Sequence, residues 1–177
     1  FVLIRGNVDS RLKKLQNGGY DGIILAKAGL DRLGIPERER EHFLFLPIPE
    51  SAFLPAACQG IIAVEGRCQA SLRRLAGAVD DHLTRLAFET ERRALLNFGA
   101  DCSAPAAAYC RVLTPGGSMM DGSDGQAQNP CGLRLGLSVM YAGREQSGTA
   151  PEAQRLALAD DLCGKVREAD ARKGRKS

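Results

Sequence analysis

The chain is 177 residues long, enough for one large domain or two small ones, and its 44% hydrophobic and 25% charged content is that of an ordinary soluble globular protein. With 24 Lys+Arg against 21 Asp+Glu the formal charge is only +3, which does not predict nucleic-acid binding, and 5% aromatic content with no Trp argues against a base-stacking surface. No apolar run approaches the roughly 20 residues needed to span a bilayer, so neither nucleic acid nor membrane is an expected partner.

The six cysteines are Cys58, Cys68, Cys102, Cys110, Cys131 and Cys163. They form no C-x-x-C pair and no dense framework, and His42 and His82 sit at no metal-ligand spacing, so no metal site is expected. A reducing, cytoplasmic compartment follows, with most cysteines acting as small buried hydrophobes.

Phe1–Ile4 reads as a buried strand already under way, so the chain is expected to be the C-terminal piece of a longer protein. Arg5-Gly6-Asn7 is a turn. Asp9 or Ser10 can cap a helix over Arg11–Gln16, and Asn17-Gly18-Gly19 stops it. Tyr20–Ala26 is apolar throughout, as a parallel strand covered on both faces would be. Ala28–Leu33 is a short helix ended by Gly34 and Pro36. That strand–helix alternation is α/β. Glu37–Glu41 is a solvated helical turn, Phe43–Pro49 a connector and Gly60–Val64 a further buried strand.

Cys68–Leu75 and Asp80–Phe98 read as helices. In the second, Leu83, Leu86, Ala87, Thr90, Ala94 and Leu95 form an apolar stripe at 3.6-residue spacing. Ala104–Leu113 is a strand, Thr114–Pro130 a polar Gly-rich loop, Leu133–Tyr141 a strand and Pro151–Val166 a helix with Pro at its start. Arg167–Ser177 is a solvated basic tail. The second half is therefore a small α+β domain distinct from the first.

Arg5 stands at a strand end and Arg11 on the following helix. Ala26-Lys27-Ala28-Gly29 opens another helix, with Arg32 one turn on. Ligands of open α/β sheets bind beyond the carboxyl ends of strands, and guanidinium groups there suit carboxylates or phosphates. Plain surface arginines account for the same spacing. Cys102 lies between Gly99 and Pro105 after a charged helix that carries Arg92. A cation lowers a thiol pKa while the neighbouring Asp101 raises it, so a reactive loop thiol and a buried structural cysteine both remain open.

Four segments, in order, cover nearly the whole chain and together resemble the hydroxymethylbilane synthase (porphobilinogen deaminase) family. They are Arg5-Gly6-Asn7-Val8 with Arg11-Leu12; Tyr20-Asp21-Gly22-Ile23-Ile24-Leu25-Ala26 running to Ala28-Gly29-Leu30-Asp31-Arg32-Leu33-Gly34; Leu54-Pro55-Ala56-Ala57-Cys58-Gln59-Gly60; and Glu91-Arg92 through Cys102 to Tyr109. The resemblance implies a transferase that joins four porphobilinogen molecules head to tail, releases ammonia and yields 1-hydroxymethylbilane, a precursor of haem. It implies a dipyrromethane cofactor held by a thioether to Cys102. Arg5 and Arg11 would bind the acetate and propionate groups of that cofactor. Arg32, Arg92, Gln59 and Gly60 would bind substrate. The general-acid aspartate of the family lies upstream of Phe1, so no catalytic residue is expected in this chain, which alone should be inactive. Ala100-Asp101 before the cysteine and Cys58 in the third segment depart from the family pattern.

The implied architecture is α/β plus α+β: partial α/β domains like type II periplasmic binding proteins, then a small α+β C-terminal domain. Residues 1–50 would belong to domain 2, 51–79 would return to domain 1, and 80–177 would form the domain with the cofactor loop. The full-length form would be a monomer. A competing reading is a non-enzymatic, periplasmic-receptor-like module that grips a small anion.

Overall fold

The computed structural model describes residues 2–39, 41–100, 104–114 and 132–173. The chain divides into two compact units, Phe1–Pro49 and Glu50–Ser177.

Among the described residues of the first unit, three short helices make up the regular structure. Helix α1 spans Val8–Gln16, and Asn7 is its cap: Asn7 Oδ1 accepts the Ser10 N–H at 2.8 Å. The expected caps, Asp9 and Ser10, lie inside the helix. Asp9 falls in the first turn, where a carboxylate complements the positive end of the dipole. Leu12 is the residue α1 buries. Helix α2 is Lys27–Arg32 and α3 is Ile35–Arg38. Gly34 separates them at φ 60°, a left-handed position that favours glycine. Ile35 is fully buried.

No strand forms over Val2–Ile4, Tyr20–Ala26 or Gly60–Val64, contrary to the sequence reading. A parallel strand is held by its neighbours' backbone groups, and among the described residues none pairs with these segments. Several of their apolar side chains are exposed instead, Val2 at 82% and Val64 at 69%. The three-stranded sheet of this structure is antiparallel and lies wholly in the second unit.

That unit is α+β. Helix α4 spans Ala70–Val79 and buries no residue. Helix α5 spans His82–Phe98 and is capped by Asp81, whose carboxylate accepts the Thr84 N–H at 2.7 Å. Strand β1 is Ala106–Leu113, β2 is Arg134–Tyr141 and β3 is Arg144–Pro151, in the antiparallel order β1-β2-β3. After a short 3-10 turn, helix α6 runs Arg155–Lys173. It takes in residues 167–173 of the segment expected to be a solvated tail, where Arg167 donates to the Asn97 carbonyl at 2.9 Å and Asp170 pairs with Arg144 at 3.5 Å.

One face of the sheet carries the core. Ala108, Cys110 and Val112 of β1 lie opposite Val139, Leu137 and Leu135 of β2, and all six are buried. Helices α5 and α6 cover this face. They contribute Leu86, Ala94 and Phe98, and Ala159, Leu162, Cys163 and Val166. Each fully buried aliphatic side chain here contributes about 1.5–3 kcal/mol relative to an exposed one.

Strand β3 has no counterpart in the sequence reading. Its residues, Arg-Glu-Gln-Ser-Gly-Thr-Ala-Pro, are polar, and only Ala150 is buried. Ala142 at φ 49° and Gly143 at φ 77° form the two-residue turn that pairs it with β2.

Candidate functional site

The expected site residues fall in both units. In the first, Arg5 is exposed and its carbonyl accepts the Lys14 Nζ at 2.8 Å. Arg11 donates its Nε–H to the Gly6 carbonyl at 2.7 Å. The turn ahead of α1 is thereby tied down by two cationic side chains, and Arg5 and Arg11 are brought to the same end of one helix. Arg32 is the exposed last residue of α2. At the start of α2, Lys27 pairs with Asp31 at 2.5 Å rather than standing alone.

In the second unit, α5 carries Arg92 on its exposed face. The helix ends at Gly99, φ 62°. The Gly99 N–H bonds the Leu96 carbonyl and the Ala100 N–H reaches back to Leu95, both at 3.0 Å. This is the Schellman closure, and Ala100 makes the accompanying apolar contact with the core. Gly99 therefore breaks the helix as expected. Cys102 itself, on which the expected tether depends, lies outside the described residues, as do Asp101 and Ser103.

The Leu54–Gly60 segment meets α5. Leu54 is buried and Ala57 packs on the core. Cys58 sits at φ 60° and Gly60 at φ 85°, both left-handed. Gln59 and Gly60 are exposed beyond this turn. Burial is the main influence holding the Cys58 thiol above its usual range. Glu91 adds to it and Arg92 opposes it. The structure thus brings Gln59–Gly60 and Arg92 to one region of the second unit.

Glu91 was missed. It is 4% exposed, and its two oxygens accept the Cys110 N–H at 2.8 Å and the Cys58 N–H at 2.5 Å. Burial, the largest influence, raises its pKa; the two backbone bonds work the other way. The signal was available, since position 91 lies four residues after Ala87 and three before Ala94, on the apolar face of α5. The cysteines divide as well. Cys110 and Cys163 are buried as expected, whereas Cys58 is half-buried and Cys68 exposed.

Residues 1–74 match the family model described as porphobilinogen deaminase, dipyromethane cofactor binding domain. Arg5, Arg11, Arg32, Gln59 and Gly60 fall inside that match; Arg92 and Cys102 fall beyond it. Similarity to whole proteins extends further. The chain is 42% identical over 164 residues to the porphobilinogen deaminase of Streptococcus sanguinis (strain SK36), covering 90% of this chain and 50% of that protein. It is 36% identical over 162 residues to the porphobilinogen deaminase of Roseiflexus sp. (strain RS-1), covering 91% and 49%. A probable porphobilinogen deaminase of Methanosarcina barkeri (strain Fusaro / DSM 804) is 38% identical over 110 residues. The chain spans about half the length of the first two relatives. With the family model on its first 74 residues and these relatives along most of its length, the chain is similar to porphobilinogen deaminases over about half of their length.

Proposed function

We propose that this chain is the cofactor-carrying, C-terminal part of a hydroxymethylbilane synthase, which condenses four porphobilinogen molecules into 1-hydroxymethylbilane with loss of ammonia. Cys102 is the proposed thioether anchor of the dipyrromethane. Bound there, that group supplies the primer on which the pyrrole chain is built.

The donor chemistry fits such a group. Each pyrrole unit brings two carboxylates, and Arg5 and Arg92 present exposed guanidinium groups. Arg11 is anchored through its Nε–H, and its terminal amino groups form the fork that takes a carboxylate bidentately. In this reading Arg5 and Arg11 bind cofactor carboxylates, Arg32 and Arg92 bind those of substrate, and Gln59 and Gly60 face the substrate. Proton transfer to the leaving amine needs a carboxylic acid. The half of the family's length that this chain does not span would supply it, so the 177 residues alone should not turn over porphobilinogen. Type II periplasmic-binding-like domains are proposed for the whole protein, with 1–50 in the second domain, 51–79 in the first and 80–177 as the third. The working form would be a cytoplasmic monomer.

The observation that carries this reading is the Gly99 closure of α5. It ends an Arg-bearing helix three residues before Cys102, on the segment that the resemblance marks as the cofactor loop. Intact mass of the full-length protein tests it. A dipyrromethane adduct is expected in the wild type, with colour in Ehrlich's reagent, and neither in Cys102→Ser. An adduct that survives Cys102→Ser overturns the assignment.

A further inference from the structure

We infer that Glu91 is a positioning residue that holds the Gln59–Gly60 turn and Arg92 in register on the wall of the second unit. The inference deepens the functional reading above and rests on it for the identity of the substrate.

The geometry is a clasp. Three segments distant in sequence meet at one carboxylate. Helix α5 supplies Glu91, the Leu54–Gly60 segment supplies the Cys58 N–H and β1 supplies the Cys110 N–H. Two of the three arms end one residue from a proposed substrate contact. Arg92 follows Glu91 on the helix, and Gln59 follows Cys58 in the turn. Fixing Glu91 therefore fixes the spacing of the two.

The turn needs such a hold. Cys58 and Gly60 both adopt left-handed backbone, and the bonds that close it include Gln59 N–H to Ala56 O and Ile61 N–H to Cys58 O, each at 3.2 Å, the long end of the usual range. A side chain in left-handed backbone is strained, and such strain persists only where surrounding contacts over-determine it. The short bond from Cys58 to a carboxylate is the strongest of those contacts, since charge-assisted bonds are roughly twice as strong as neutral ones. Simple filling of the space would not call for a carboxylate. A buried ionisable group is unfavourable unless its acceptors are used, and here both oxygens are.

The isosteric variant separates positioning from packing. Glu91→Gln keeps the volume but offers one acceptor, and its amide N–H₂ would face a backbone N–H. In the full-length protein we expect faster amide hydrogen exchange over Cys58–Ile61 and at Cys110. We also expect a KM for porphobilinogen raised about tenfold with kcat within about threefold, the pattern of lost substrate positioning. Leu162→Ala, a core change on α6 beside Gly148 of β3 that lowers stability without altering a clasp residue or its strand partner, should leave KM at the wild-type value. Should Glu91→Gln not fold, Glu91→Asp, one methylene short of spanning both donors, carries the same readouts. Wild-type exchange at Cys58 in a folded Glu91 variant overturns the clasp. A KM no different from that of Leu162→Ala overturns the positioning role. A wild-type protein that does not consume porphobilinogen overturns the functional reading instead, and the exchange measurement then decides the clasp by itself.

Discussion

The ring of Phe98, the last residue of α5, lies stacked on that of Tyr141, the last residue of β2, with centroids 5.0 Å apart and planes 16° from parallel. The contact pins the end of the helix to the sheet immediately before the Gly99 turn. Phe98→Ala should lower stability by about 3 kcal/mol, in the range of buried aromatic truncations. Tyr141→Leu should cost about 0.5–1.5 kcal/mol for loss of the aromatic pair. A double-mutant cycle by urea denaturation is the check, and purely additive losses would mean the rings do not couple.

Gly148 on β3 sets how closely α6 approaches the sheet. A Cβ there would stand 3.1 Å from Leu158 Cδ1 and 3.5 Å from Leu162 Cδ2. Gly148→Ala asks only for a small shift of leucine side chains. Gly148→Val adds two more carbons and should cost about 1–3 kcal/mol by overpacking. Thermal midpoints of the two variants should separate clearly. Equal midpoints would place α6 farther from β3 than described.

Cys58 occupies a left-handed position where glycine is relaxed. Relief of roughly 1–2 kcal/mol of backbone strain, less roughly 0.5–1 kcal/mol of added unfolded-state entropy, makes Cys58→Gly about 0.5–1 kcal/mol more stable than wild type. The Cys58 N–H bond to Glu91 is kept in that variant. Cys58→Val, branched at Cβ, should instead be destabilising. A urea midpoint that falls in Cys58→Gly would contradict the left-handed conformation.

Burial pushes the Cys110 thiol up to about 12 and the Cys163 thiol up to about 11. Alkylation of the folded protein at pH 8, mapped by peptide mass, should label exposed Cys68 well ahead of these two. The linkage sign follows from raised folded values. The stability these thiols contribute is fully present below their unfolded value of 9.0 and is lost as pH rises through about 11 and 12. Cys163→Ala should therefore flatten the alkaline decline in stability. Early labelling of Cys110 at pH 8 would refute its burial.

Helix α5 was legible because two signals agreed: an apolar stripe through Leu86, Thr90 and Ala94, and Gly99 at the end. Strands β1 and β2 were legible for a similar reason. Each buries alternate residues, and the period of two shows in Ala108-Cys110-Val112 and Leu135-Leu137-Val139. Strand β3 was not, because an edge strand with one buried residue has no apolar period to read, and its turn residues, Ala142-Gly143, are not the usual asparagine-glycine. The segments Val2–Ile4 and Gly60–Val64 erred the other way. Composition reports what a segment could bury, not whether a neighbour is there to pair with it. Among the candidate site residues, family resemblance marked the exposed Arg5, Arg92 and Gln59. It passed over Glu91, whose importance depends on two backbone groups 33 and 19 residues away.

The outer edge of β1 is a place where another chain could add a strand and begin to aggregate. One of its outward N–H groups, that of Cys110, is already taken by a carboxylate that a docking strand would have to displace. The opposite margin of the sheet, β3, mixes Arg144 and Glu145 with glycine and ends in proline, a sequence poorly suited to stacking against copies of itself. Both borders of this small sheet are thus guarded against templating, one by a side chain from a helix and the other by its own polarity.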